Sequence, residues 1–138
     1  MSKDALVNAV KTIHTQARAG NLDDAYAGYR ELFSSAWFGE CKPEDQRQAL
    51  RLMVFAKGVP PKLTEAMTDA FRSALQPLTE LVSRHGEPSD YELLGICHVE
   101  LGNNESADRI FRDGLTIERQ RNAGSDLCGA FMKRIAAL

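Results

Sequence analysis

Between Tyr91 and Phe111 the chain reads Y-E-L-L-G-I-C-H-V-E-L-G-N-N-E-S-A-D-R-I-F, and its small and bulky apolar residues leave few folds open. Leu94 with Gly95 shares one face of a first helical segment, and Ala107 with Phe111 shares one face of a second. Gly102-Asn103-Asn104 turns the chain between them, with glycine able to take the left-handed conformation at which helices commonly end. Helix axes come within about 8–10 Å only where a small residue faces a bulky one. The stretch therefore predicts a close antiparallel hairpin of Ser89 to Leu101 against Asn104 to about Glu118. Ser89 with Glu92 three residues later reads as a capping box at its start.

The rest of the chain repeats this helix-turn grammar. Leu6, Val10, Ile13 and Ala17 recur three or four apart, predicting a helix over 4–18 that stops at Gly20-Asn21. Leu22, Ala25, Tyr29 and Leu32/Phe33 mark a second helix, with Asn21 placed as N-cap and Asp23-Asp24 in its first turn. Ser34 to Lys42 is an interruption holding the large pair Trp37-Phe38, which either plugs the gap beside the first hairpin or forms an exposed anchor. Pro43 opens a third helix, apolar on nearly every side through Ala49, Leu50, Leu52, Met53, Val54, Phe55 and Ala56, and closed by Gly58. After Pro60-Pro61 a long helix runs from about Leu63 to Arg84, with Pro77 expected to kink or break it. A last helix, 125–138, carries Leu127, Phe131, Ile135 and Leu138 on one side. The expectation is an all-α single domain over 1–138, with hairpins at about 4–34, 43–84 and 88–119 and a terminal helix.

Several functions are disfavoured by the same residues. The net charge of -2 is too small to drive binding to polyanions, so nucleic acid is not an expected partner. No window approaches a membrane span and Met1 to Ala5 begins no secretory signal, which together lead to the expectation of a cytoplasmic protein without a membrane partner. Cys41, Cys97 and Cys128 are odd in number and lack zinc-ligand spacing, so reduced thiols and no metal are expected. His14, His85 and His98 fall on different helices with no nucleophile motif or phosphate loop beside them, which points away from an enzyme and from any cofactor.

The stretch from Tyr91 to Phe111 resembles a tetratricopeptide repeat (TPR), whose pattern is W-x2-L-G-x2-Y followed by A-x3-F over about 34 residues. Tyr91 stands at the tryptophan, Leu94-Gly95 is retained, His98 replaces the tyrosine, Ala107 and Phe111 fall in register, and Gly114 takes the place of a small alanine. Arg119 stands where a proline usually ends the repeat, so the second helix can run on toward Arg121. Gly20 to Ala25 with Tyr29 and Leu32 is similar to the turn and second helix of another repeat, although Thr12-Ile13 occupies the leucine-glycine position.

The resemblance implies a right-handed α-solenoid of about seven helices, capped by 125–138, that binds a peptide or helix of another protein in a concave groove. Ser89, Glu92, Ile96, Val99 and Glu100 would face that groove, as would His14 and Arg18 from the first hairpin. Between Arg84 and Arg109 there is no Lys or Arg, while Glu87, Asp90, Glu92, Glu100, Glu105 and Asp108 are acidic, which favours a basic or amphipathic partner or else marks an ordinary solvated face. Two alternatives accompany this reading. One is a small secretion-type chaperone masking an apolar segment of its client. The other is a homodimer scaffold formed through Phe131 and Ile135.

Overall fold

The computed structural model describes residues 3–138; Met1 and Ser2, which open the segment read for a secretory signal, lie outside the described residues. Among the described residues seven α-helices follow one another: α1 Lys3–Arg18, α2 Leu22–Ser34, α3 Pro43–Val54, α4 Glu65–His85, α5 Pro88–Glu100, α6 Asn104–Asn122 and α7 Asp126–Ala136. A short 3-10 helix, Ala36–Glu40, joins α2 to α3, and no strand occurs among the described residues. The chain gathers into two compact units, Met1–Pro77 and Leu78–Leu138, with α4 contributing to both.

Two hairpins, α1/α2 and α5/α6, end their first helices in the same way. Gly20 N donates to Ala17 O and Asn21 N to Gln16 O; Gly102 N donates to Val99 O and Asn103 N to His98 O. Gly20 and Gly102 have φ of +86° and +79°, where a side chain would be strained. The next helix then starts with Ala25 N donating to Asn21 O and Ala107 N to Asn103 O. Neither Asn side chain caps its helix, contrary to the expectation for Asn21: with ψ of 66° and 65° the two backbones depart from the extended conformation that ordinarily carries a capping side chain. Leu22 also leaves the expected apolar face and is exposed, whereas Tyr26 is buried.

Inside each hairpin one glycine sets how closely the helices cross, but on opposite helices. A Cβ on Gly95 of α5 would run into the Phe111 ring on α6. In the first hairpin the bulky residue sits on α1 and the glycine on α2: a Cβ on Gly28 would lie 2.8 Å from Ile13 Cγ1. Ile13, which departs from the leucine-glycine pattern, is thus answered by a small residue across the crossing.

Unit 1 is held by a string of aromatic rings. Phe71 on α4 lies 6.4 Å from Tyr26, Tyr26 lies 5.9 Å from Tyr29, Tyr29 stacks on Phe33 at 5.6 Å, and Phe33 meets Phe38 at 5.2 Å. Phe38 is therefore the plug rather than an anchor, while Trp37 is half-buried. Gln46, buried and unforeseen in the sequence, donates to Gly39 O at 3.2 Å and Cys41 O at 2.9 Å, tying the 3-10 helix to α3. The third helix stops at Val54 instead of reaching Gly58, and it is not apolar all round in its setting: Leu52 and Phe55 are exposed because Ala49, Leu50, Met53 and Val54 already fill the inward face. At α4, Thr64 forms the cap, accepting from Met67 N at 3.2 Å and donating to Asp23 Oδ1 at 2.8 Å. The helix continues through Pro77 without the expected break: the roughly 3 kcal/mol that an interior proline costs is opposed by the burial of Ala74 before it and Leu78 and Leu81 after it.

In unit 2, α6 packs between α5 and α7. A Cβ on Gly114 would stand 2.6 Å from Phe131 Cζ and 2.7 Å from Tyr91 Cβ, so the absence of a side chain lets both neighbours close in. Phe131 is fully buried and lies 6.1 Å from Phe111. Its ring is consumed inside its own unit, where such burial stabilises by about 1.5–3 kcal/mol, whereas Ile135, named with it for self-association, stays half-exposed. Ser125 lies just before α7, where its Oγ accepts from Cys128 N at 3.3 Å and donates to Glu118 Oε2 at 2.7 Å.

Candidate protein-interaction surfaces

The α5 residues expected to face a groove divide in the structure. Ser89 is half-buried, Ile96 is only 8 % exposed, and Val99 and Glu100 reach the surface. The Ser89/Glu92 capping box is absent: α5 begins at Pro88, Glu87 is the residue before it, and no side chain caps it. Proline explains the shift, because its fixed φ suits the first helical position and so places Ser89 inside the first turn instead of before it. Glu92 is thereby free to accept from Arg134 Nε on α7 at 3.1 Å. Around that pair α5 and α7 enclose a cleft of about 140 Å³ floored by Ile96 and Phe111 and edged by Val99, Glu100 and Leu138. The terminal helix therefore covers part of the face that the sequence left open.

The acidic run is also answered from within the unit. Arg121 Nη1 meets Glu87 Oε2 at 2.9 Å, Arg134 meets Glu92, and Arg112 Nε donates to both oxygens of Asp108 at 3.0 Å. Asp90 is fully buried. These arginines lie beyond the interval that lacks basic residues, so folding supplies the counter-charges missing from the linear stretch.

In unit 1, His14 is half-buried and Arg18 exposed near the end of α1. The better-defined concavity there involves neither. It is a cleft of about 170 Å³ between α1 and α3, with Leu6 and Ala49 buried at its base and Val7, Val10 and Leu52 on its walls. Lys3, Lys11 and Asp45 edge it, with Lys3 Nζ 3.6 Å from Asp45 Oδ1. The sequence signal for it was Leu52, an apolar residue a quarter turn off the inward face of α3. A wider hollow of about 790 Å³ lies between α1 and α2, with Trp37 at one end.

The titratable groups are placed as packing residues. His98 is half-buried with Nδ1 3.4 Å from Asn103 Nδ2, and burial followed by the nearby Arg109 charge lowers its pKa below the usual 6.5. Cys97 is fully buried, and burial with a smaller push from Glu100 raises its thiol to about 12. Cys128 Sγ donates to Asn122 O at 3.5 Å, and Cys41 is half-exposed. Among the described residues no cluster of His, Cys, Asp or Glu could hold a metal ion, and no helix is long and apolar enough to cross a membrane. No family model matches the chain, and neither a curated protein nor a solved structure does.

Proposed function

We propose that this chain is a TPR-like helical-repeat protein that works without catalysis or cofactor as an interaction module, holding a helical or extended segment of another protein. The observation that carries the reading is the recurrence of one hairpin design in both units: the same turn hydrogen bonds, the same start of the second helix, and one glycine at each crossing. Helical repeats of this kind serve chiefly to present surface, since each repeat spends its apolar face on stacking and leaves a ridged exterior. Here that exterior includes exposed Val7, Leu52, Phe55 and Val99, apolar groups left outside the core.

Photo-cross-linking in the source cell tests this function. A photoreactive side chain at Leu52 or at Val99 should give discrete cross-linked products, and one at exposed Arg119 should not. Identical weak smears from all three positions would count against an interaction module.

A further inference from the structure

The cleft between α1 and α3 has a size and an edge that narrow what can enter it. At about 170 Å³ it is smaller than the roughly 300–1,000 Å³ of small-molecule sites, so a cofactor-sized ligand does not fit. It matches instead one bulky apolar side chain inserted as a knob between two helices. Val7 at 38 % and Leu52 at 42 % exposure stand on either side and would be covered by the backbone that carries the knob.

The charges around the cleft choose among occupants. Lys3 and Lys11 lie two turns apart on α1, about 12 Å along its axis. The α3 edge offers only Asp45, which already faces Lys3, and uncharged Gln48. Lys11 has no acid among the residues that line the cleft. A second copy of the chain would bring the same excess of one lysine over its single aspartate, so a two-fold contact would set two net positive edges together. A foreign helix carrying carboxylates beside its apolar stripe would meet opposite charge at both ends of the α1 edge.

Resting on the interaction reading, we infer that the α1/α3 cleft receives an amphipathic helix of another protein, with a bulky apolar residue inserted between Val7 and Leu52 and acidic residues set against Lys3 and Lys11. The partner chemistry is thus the reverse of the one suggested by the acidic run around α5.

Two synthetic helical peptides with the same leucine stripe, one flanked by Glu and one by Lys, test this against the full-length, isotope-labelled protein. The Glu peptide should shift the backbone amides of Val7, Lys11 and Leu52 and bind about tenfold more tightly than the Lys peptide, an advantage that shrinks as salt rises. Leu52→Glu should remove binding of the Glu peptide, and Lys11→Glu should erase or invert the preference; both sites are exposed, and circular dichroism verifies that each variant stays folded. Equal affinity, preference for the Lys peptide, shifts confined to other surfaces, or no binding by either peptide would each overturn the inference. Concentration-dependent shifts of the same amides without peptide would overturn it in favour of a second copy. In all these cases the interaction module itself stands or falls separately, on the cross-links from Leu52 and Val99.

Discussion

Ile13 of α1 and Gly28 of α2 meet where the first hairpin crosses, so closely that a methyl group on Gly28 would stand 2.8 Å from Ile13 Cγ1. Phe111 and Gly95 hold the corresponding place in the second hairpin with the sizes exchanged between the helices. What each crossing requires is one absent side chain, and either helix can supply it. Gly28→Leu should therefore destabilise the protein by about 1–3 kcal/mol through overpacking. In an Ile13→Ala background the same change should cost less, with a coupling of at least about 0.5 kcal/mol in a denaturant-melt double-mutant cycle. Simple additivity would mean that the two residues do not share a contact.

Gly114 offers a sharper case, because alanine is a better helix former than glycine by about 1 kcal/mol. Gly114→Ala should nonetheless lower the melting temperature, since its Cβ would stand 2.6 Å from Cζ of the fully buried Phe131 and 2.7 Å from Tyr91 Cβ, an atom fixed to the α5 backbone. Ala107, fully buried in the same hairpin, should respond similarly: Ala107→Leu should cost about 1–3 kcal/mol in a denaturant titration.

The two serines at helix starts should behave oppositely. Ser125→Ala removes an acceptor for Cys128 N and should cost about 0.5–2 kcal/mol. Ser89→Ala lies inside the first turn of α5, where no side-chain cap exists, and should be neutral within about 0.5 kcal/mol in the same urea titration.

Much of the helical plan was legible because it rests on local signals. Gly20, Gly86 and Gly102 have positive φ just beyond a helix, Gly58 has it four residues past α3, and the apolar spacing located the seven helices of the described residues to within a few residues. Signals that required knowledge of distant neighbours were not legible. Glu92 looks like a capping acid until Arg134 is seen beside it, and Glu87 looks unpaired until Arg121 folds onto it. Leu52 reads as core in the sequence because nothing local reveals that Ala49, Leu50, Met53 and Val54 already suffice to fill the inward face. Gly28 reads as a weak point in a helix until Ile13 is placed against it.

His98 gives the fold a pH dependence of definite sign. Burial, and then Arg109, hold its pKa below the unfolded value of 6.5, so the unfolded chain binds its proton more readily. The contribution to stability from keeping this ring neutral is complete above about pH 6.5 and declines as pH falls toward the lower folded value. Thermal melts from about pH 7 to pH 5 should therefore show a loss of stability that is smaller in His98→Gln. An identical acid slope in that variant would assign the effect to other groups.

The depth of Cys97 also makes the α5/α6 hairpin measurable as a clock. A thiol reagent reacts with the ionised sulfur, and Cys97 is both fully covered and pushed to about 12, whereas Cys41 in the other unit is half-exposed. Modification of Cys97 must wait for α5 to part from its neighbours. Its labelling rate, divided by that of a free thiol, reads the opening equilibrium of this hairpin in native buffer, with no denaturant and no engineered residue.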